Sequence, residues 1–191
     1  MKKDLILMMG GQGSGKGTMS KLFLQENQNY KYIETGAMLR ELPDDSPLKK
    51  IMARGEFVPD QDLCALLKEK ITPDTHTVLD GFPRQLSQAK WLLVNFSDKF
   101  NVIALYLNIS RDLMQNRIEQ RLREGGGRAD DADATVVKRR LESFFGKTVP
   151  AIEWLKQKRN VTFLDIPIQD APIATNYNAV KSALESTRKI R

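Results

Sequence analysis

Gly10-Gly11-Gln12-Gly13-Ser14-Gly15-Lys16-Gly17-Thr18 follows directly on the apolar run Leu5-Ile6-Leu7-Met8-Met9. A strand that feeds a glycine-rich turn opening a helix is how a fold wraps a phosphate. The glycines let backbone N–H groups converge on one point, the helix start adds its positive dipole end, and Lys16 supplies a mobile point charge. The spacing of Gly10, Gly15 and Lys16 alone would arise by chance in about one chain of this length in twenty. Gly13 inside the loop, the hydroxyl of Thr18, the preceding strand and the helical pattern of Met19, Leu22 and Phe23 are further requirements, and all are met. The competing reading is a flexible turn with a solvated Lys16.

Around this loop the chain has the proportions of one domain. Its 191 residues suffice for a sizeable core, and 41% hydrophobic with 28% charged residues is the balance of a soluble globular protein, with no apolar run near the ~20 residues of a bilayer span. No signal peptide is read at Met1-Lys2-Lys3-Asp4, so a cytoplasmic chain is expected. Cys64 is the single cysteine and His76 the single histidine, which excludes an internal disulfide and structural zinc. Cys64 reads as a small buried hydrophobe, and His76 as a surface residue. The net charge of +6 fits either a polyanion partner or arginines gathered around a phosphate loop.

Strand-like runs at Asp4–Met9, Tyr30–Ile33, Thr77–Leu79, Val102–Leu107 and Val161–Leu164 alternate with helical patterns. That alternation predicts an α/β fold with a parallel sheet covered by helices. Helices are expected over about Lys16–Gln25, from near Ala37, over about Asp60–Ile71 with Asp60 as cap, and over about Ser87–Phe96. Ser110 is expected to cap the helix that runs into Gly125-Gly126-Gly127, a hinge. A long pattern from about Asp133 is expected to kink at Pro150, and Asp170 with Pro172 opens the last helix.

The arginines fall at or just after the C-terminal ends of strands, the edge where ligands bind in an open parallel sheet. Arg40 follows the second strand and Arg84 closes Asp80-Gly81-Phe82-Pro83-Arg84 after the third. Arg117 and Arg121 share a helix face at i, i+4, Arg128 follows the glycines, and Arg139 and Arg140 open the next face. Singly, each reads as a solvated charge. Together they suit phosphoryl transfer between nucleotides, where catalysis is mostly the positioning and neutralising of negative charge. Asp80 suits a carboxylate that orders magnesium waters, beside its alternative as a buried structural acid. An acceptor that is already an ionised phosphate needs no general base.

These residues resemble an adenylate kinase of the short-lid form, within the nucleoside monophosphate kinases. The resemblance rests on GGQGSGKGT at 10–18, TGAMLR at 35–40, RGEFVPD at 54–60, LDGFPRQLSQ at 79–88, RIEQRLREGGGRADD at 117–131 and KRRLESFF at 138–145. It implies a P-loop five-stranded parallel sheet sandwiched by helices, with a small monophosphate-binding insertion at about 35–64 and a short lid at about 122–134. The implied reaction is reversible transfer from ATP to AMP, with Mg2+, giving two ADP. The implied chain is a monomer without nucleic-acid or membrane partners.

Carried onto this sequence, the resemblance assigns ATP binding to Gly11, Gly13, Ser14, Gly15, Lys16, Gly17, Thr18 and Arg117. AMP binding falls to Thr35, Gly36, Arg40, Val58, Gly81, Arg84 and Gln88, with Thr35 and Gln88 favouring adenine. Lys16, Arg84, Arg121, Arg128 and one of Arg139 or Arg140 are the catalytic cations. Asp130 and Asp131 pair with arginines on lid closure, and Asp80 meets the metal through water. The sequence departs from the family pattern at Gln12, where proline is usual, at Ala37, where aspartate is, and at Glu34, where serine is common. The 41–54 stretch is short. Two alternatives stand beside this reading: a UMP/CMP or other monophosphate acceptor, and a non-catalytic nucleotide-binding regulatory protein.

Overall fold

The computed structural model describes residues 1–124 and 134–189. The stretch Gly125–Gly127, where a hinge is expected, and the predicted site residues Arg128, Asp130 and Asp131 lie outside them. Five strands, β1 (Lys3–Gly10), β2 (Tyr30–Glu34), β3 (His76–Asp80), β4 (Phe100–Ile109) and β5 (Val161–Ile168), form one parallel sheet in the order β2-β3-β1-β4-β5. The expected α/β class and strand count are therefore present. β1 is the central strand, and Leu5, Ile6, Leu7 and Met8 are fully buried on both faces. Each such side chain contributes about 1.5–3 kcal/mol on leaving water, which is why β1 reads as a continuous apolar run rather than an alternating one.

Helices cover the sheet. α1 (Lys16–Glu26) follows the glycine loop, α2 (Thr35–Arg40) begins at the end of β2, and α3 (Pro47–Ala53) starts on a proline, whose fixed φ suits a first turn. α4 (Asp60–Lys70) and α5 (Leu86–Phe96) flank β3 in sequence. α6 (Arg111–Arg123) is capped as expected: the Ser110 hydroxyl accepts from the Leu113 N–H at 3.2 Å.

Asp60 does not cap α4. Pro59 holds the N-cap position and makes no side-chain cap, while Asp60 lies inside the first turn, where its charge suits the helix dipole. Nor does Pro150 produce a simple kink. α7 (Ala134–Ser143) passes through a π-helical stretch at Phe144–Thr148 into α8 (Val149–Lys156), whose first turn contains Pro150. Proline cannot donate to the preceding turn, and the wider turn ahead of it takes up the mismatch. α9 (Ile173–Lys189) closes the fold.

His76 is not a plain surface residue. Its Nδ1 accepts from the Asp4 N–H at 3.0 Å, and its ring lies 4.8 Å from that of Tyr30. Cys64 is buried as expected, and burial pushes its thiol up to about 11. No helix among the described residues is long and apolar enough to cross a membrane.

Candidate active site

β1 and β3 run parallel with Met8 opposite Asp80, and β2 sets Glu34 opposite Asp80, so three strand ends meet at one edge. The order reverses there: successive crossovers lead from β1 to β2 on one side and from β3 to β4 on the other. Such a switch point opens a crevice between the loops. Here it is a cavity of about 620 Å³, within the range of small-molecule sites. Six cationic side chains, Lys16, Lys21, Arg40, Arg84, Arg121 and Arg140, face three carboxylates, Glu34, Glu56 and Asp80, across it. That surplus suits a polyanion.

The glycine loop forms one wall. Gly15 precedes α1 at φ 89, a left-handed conformation that glycine adopts without cost, and no side chain caps the helix behind it. The first N–H groups of α1 are thereby presented toward the loop. Lys16 Nζ donates to the carbonyls of Gly10 and Gly11 at 2.7 and 2.9 Å. Gly11, Gly13, Gly17 and Thr18 line the cavity, whereas Ser14 is buried behind the loop. Arg117 reaches the same loop from α6, donating to the Gly13 carbonyl at 3.3 Å and to the Gln169 carbonyl at 2.9 Å. It stands at the loop's outer side, off the cavity lining.

Asp80 is 5% exposed at the end of β3 and accepts a hydrogen bond from the Tyr32 hydroxyl at 2.9 Å. Burial, with Asp80 and Glu34 nearby, holds the Tyr32 phenol far above its ordinary range, so it remains a neutral donor. The turn beyond Asp80 needs Gly81. Its φ is +83, and a Cβ there would lie 2.8 Å from Thr35 Oγ1 and 2.9 Å from Arg84 Nη2. The Gly81 carbonyl accepts from both of these residues, at 3.1 Å from Thr35 Oγ1 and 2.7 Å from Arg84 Nε. One carbonyl thus ties the start of α2 to the arginine of the turn.

Gln88, 1% exposed, lines the cavity from α5. Its Oε1 accepts from the Arg84 N–H at 2.7 Å and its Nε2 donates to Asp60 Oδ1 at 2.7 Å. Arg40 pairs with Glu34 at 2.7 Å, with both side chains partly exposed. Thr35, Gly36 and Val58 line the same end of the cavity.

Arg139 and Arg140 separate cleanly. Arg140 lines the cavity, whereas Arg139 donates to the Arg54 carbonyl at 2.5 Å and pairs with Glu56 at 3.4 Å. Arg139 therefore bridges α7 to the turn after α3, away from the cavity, because one residue along a helix is about a 100° rotation. Sequence reasoning missed the Asp60 cluster and the Glu34–Arg40 pair. Both join residues at spacings that carry no local signal.

A switch-point cavity with a glycine loop on one side, a carboxylate at its floor and arginines from four further segments is the apparatus of a phosphotransferase acting on nucleotides. Comparison with known proteins agrees. The family model for adenylate kinase matches residues 8–160. The chain is 34% identical over 175 residues to adenylate kinase 1 of Schistosoma mansoni, covering 86% of this chain and 85% of that one. It is 32% identical over 193 residues to an adenylate kinase of Prochlorococcus marinus strain MIT 9515, covering 96% and 100%. With a relative from a second strain, MED4, it shares 37% over 165 residues, covering 82% and 85%. The matched residues include the glycine loop, the turn at Gly81 and the cavity arginines, and the chain belongs to the adenylate kinase family.

Proposed function

We propose that this chain transfers the γ-phosphoryl group of magnesium-bound ATP to AMP, reversibly, giving two molecules of ADP. The observation that carries this reading is the convergence of the glycine loop, Lys16, Arg40, Arg84, Arg121 and Arg140 on one cavity. The loop amides and Lys16 hold the β- and γ-phosphates, and Arg117 packs beside the ATP base. Arg40 and Arg84 hold the phosphate of AMP, while Arg121 and Arg140 meet the group in transit. The acceptor oxygen belongs to an ionised phosphate, so in-line placement and charge neutralisation suffice without a base.

Asp80 fits a role toward magnesium. Its carboxylate lies on the cavity wall beside the loop, oriented by Tyr32. Mg2+ keeps several waters and binds through one or two carboxylates plus substrate phosphates, so a cage of protein ligands is not required. When bound, the ion neutralises charge on the phosphate oxygens. Residues of about 35–64 act as the monophosphate-binding insertion and about 122–134 as the short lid, closing together to exclude water. The enzyme acts as a cytoplasmic monomer.

A coupled assay with ATP and a panel of AMP, UMP and CMP tests this function. AMP is expected to give the highest kcat/KM, and a pyrimidine monophosphate outrunning it would overturn the choice of acceptor.

Two predictions concern residues whose roles the geometry separates. Glu34 occupies Arg40 and places a carboxylate where the acceptor phosphate must approach, so Glu34→Gln lowers the KM for AMP by about threefold to tenfold. Two like charges at close range in a partly exposed site cost about 1 kcal/mol, and steady-state kinetics should show kcat and the KM for ATP little changed. Arg140→Ala lowers kcat on the order of 100-fold, as expected for a cation that meets the transferring group. Arg139→Ala changes kcat less than about threefold, since its partners are Arg54 and Glu56. Equal losses in the two variants would reverse the assignment.

A further inference from the structure

Three features stand outside the catalytic reading: the shallow apolar groove beside Cys64 and Trp91, the Arg139–Glu56 bridge, and the polar cluster around Asp60. The third carries the furthest. Asp60 was expected to cap α4 and instead accepts three side-chain hydrogen bonds from the start of α5. Gln85 Nε2 donates to its Oδ1 at 3.0 Å, Gln88 Nε2 donates to the same oxygen at 2.7 Å, and the Ser87 hydroxyl donates to Oδ2.

A glutamine amide has two orientations that differ by exchange of oxygen and nitrogen, and its partners decide between them. The Gln88 amide is bracketed by groups that cannot change role. A carboxylate only accepts and a backbone N–H only donates. Asp60 therefore demands the NH2 on its side and the Arg84 N–H demands the oxygen on the other. The reversed amide would set oxygen against carboxylate and NH2 against N–H.

We propose that Asp60 is a positioning residue for base selection, locking the Gln88 amide so that it offers the cavity one fixed donor and one fixed acceptor. This rests on the adenylate kinase reading above. One N–H and one lone pair of the amide are left after its bonds to Asp60 and Arg84, and Gln88 lies on the cavity wall. Adenine offers the complementary edge, an acceptor at N1 beside a donor at N6. Hypoxanthine has the same shape and presents the reverse, a donor at N1 beside an acceptor at O6. A rotatable amide would serve both bases. A locked one serves adenine and leaves two clashing pairs with hypoxanthine, the kind of mismatch that discriminates strongly.

The test compares AMP with inosine 5′-monophosphate as acceptors, using ATP as donor, for wild type, Asp60→Leu, Asp60→Asn and Ser87→Ala. Asp60→Leu keeps approximate size and removes both acceptor oxygens. Asn keeps one oxygen, which can still accept from Gln85 and Gln88. The AMP:IMP ratio of kcat/KM is expected to fall at least ~10-fold in Asp60→Leu through a gain with IMP. It should stay within about twofold of wild type in Asp60→Asn and in Ser87→Ala, which touches only the other oxygen. An unchanged ratio in Asp60→Leu, or an equal fall in Asp60→Asn, would overturn the proposal.

Wild type provides an independent readout if the leucine variant fails to fold. Without nucleotide, the Gln88 side-chain NH2 should be protected from solvent exchange, and its 15N relaxation should match that of rigid backbone amides. A freely averaging amide would overturn the lock. Failure of the parent reading looks different: the wild-type enzyme would not use AMP at all.

Discussion

Lys16→Met lowers kcat on the order of 1,000-fold, close to 4 kcal/mol of transition-state stabilisation. Methionine keeps most of the stem and removes the charge, so the loop can keep its path while the cation is lost. Lys16 Nζ rests on the Gly10 and Gly11 carbonyls at 2.7 and 2.9 Å, already held over the loop that is proposed to receive the phosphates. Bridging oxygens gain charge as the γ-phosphoryl departs, so a cation there binds the transition state more tightly than the ground state. The signature is a large fall in kcat with a much smaller change in the KM for ATP. Thermal denaturation should place the variant within a few degrees of wild type, because the charge makes no contribution to the core. Turnover within about tenfold of wild type would remove Lys16 from the chemistry.

Arg84→Ala lowers kcat/KM for AMP on the order of 100- to 1,000-fold, and Arg84→Lys recovers little of it. The guanidinium is oriented before any ligand arrives, through Nε on the Gly81 carbonyl at 2.7 Å. Its main chain is held as well, by Gln88 Oε1 on the N–H side and by the Thr148 hydroxyl, which donates to the Arg84 carbonyl at 2.9 Å. With Nε held by the turn, the guanidinium plane is fixed and carries its two terminal nitrogens in the fork that matches phosphate oxygens. A lysine ammonium is a point charge and cannot hold the turn and a phosphate together. Because the loss is expected at the acceptor end, the KM for ATP should move less than threefold. A comparable loss for ATP would mean that the variant had disturbed the whole cavity.

Much of this was legible before the fold was known. The five apolar runs gave the strands because a parallel strand buried on both faces has no polar alternation to disguise it. The glycine loop announced its own geometry. Arg40 and Arg84 could be placed at the cavity because both follow strand ends, and a parallel sheet brings every such end to one edge. What was not legible depended on phase or on distant partners.

The choice between Arg139 and Arg140 turns on the rotation of α7. Val136 of that helix lies against the turn at Gly55, where an added Cβ would stand 3.1 Å from its side chain, and this contact is not readable from local sequence. Asp60 looked like a cap because acids commonly begin helices. Its partners Gln85, Ser87 and Gln88 lie on another helix start, and no local rule joins the two. Glu34 and Arg40 face each other across the bend from β2 into α2, a path that neither strand nor helix periodicity describes. His76 follows the same pattern: the Asp4 N–H that donates to it belongs to the strand beside it, which no local spacing signals.

The central position of β1 has a consequence for how the protein is made. Leu5 is flanked by Thr77 on one side and by Val102 on the other, so β1 gains its two neighbours only from strands that follow it by some seventy and ninety residues. Until β4 has been synthesised, Leu5-Ile6-Leu7-Met8-Met9 has neither both neighbours nor its full cover, and no N-terminal fragment short of Ile109 can complete the sheet around it. Long-range parallel pairing of this kind is slow and exposes an apolar edge while it waits. The strand that leads into the glycine loop is therefore also an apolar segment that the nascent chain must shield until β4 has been made.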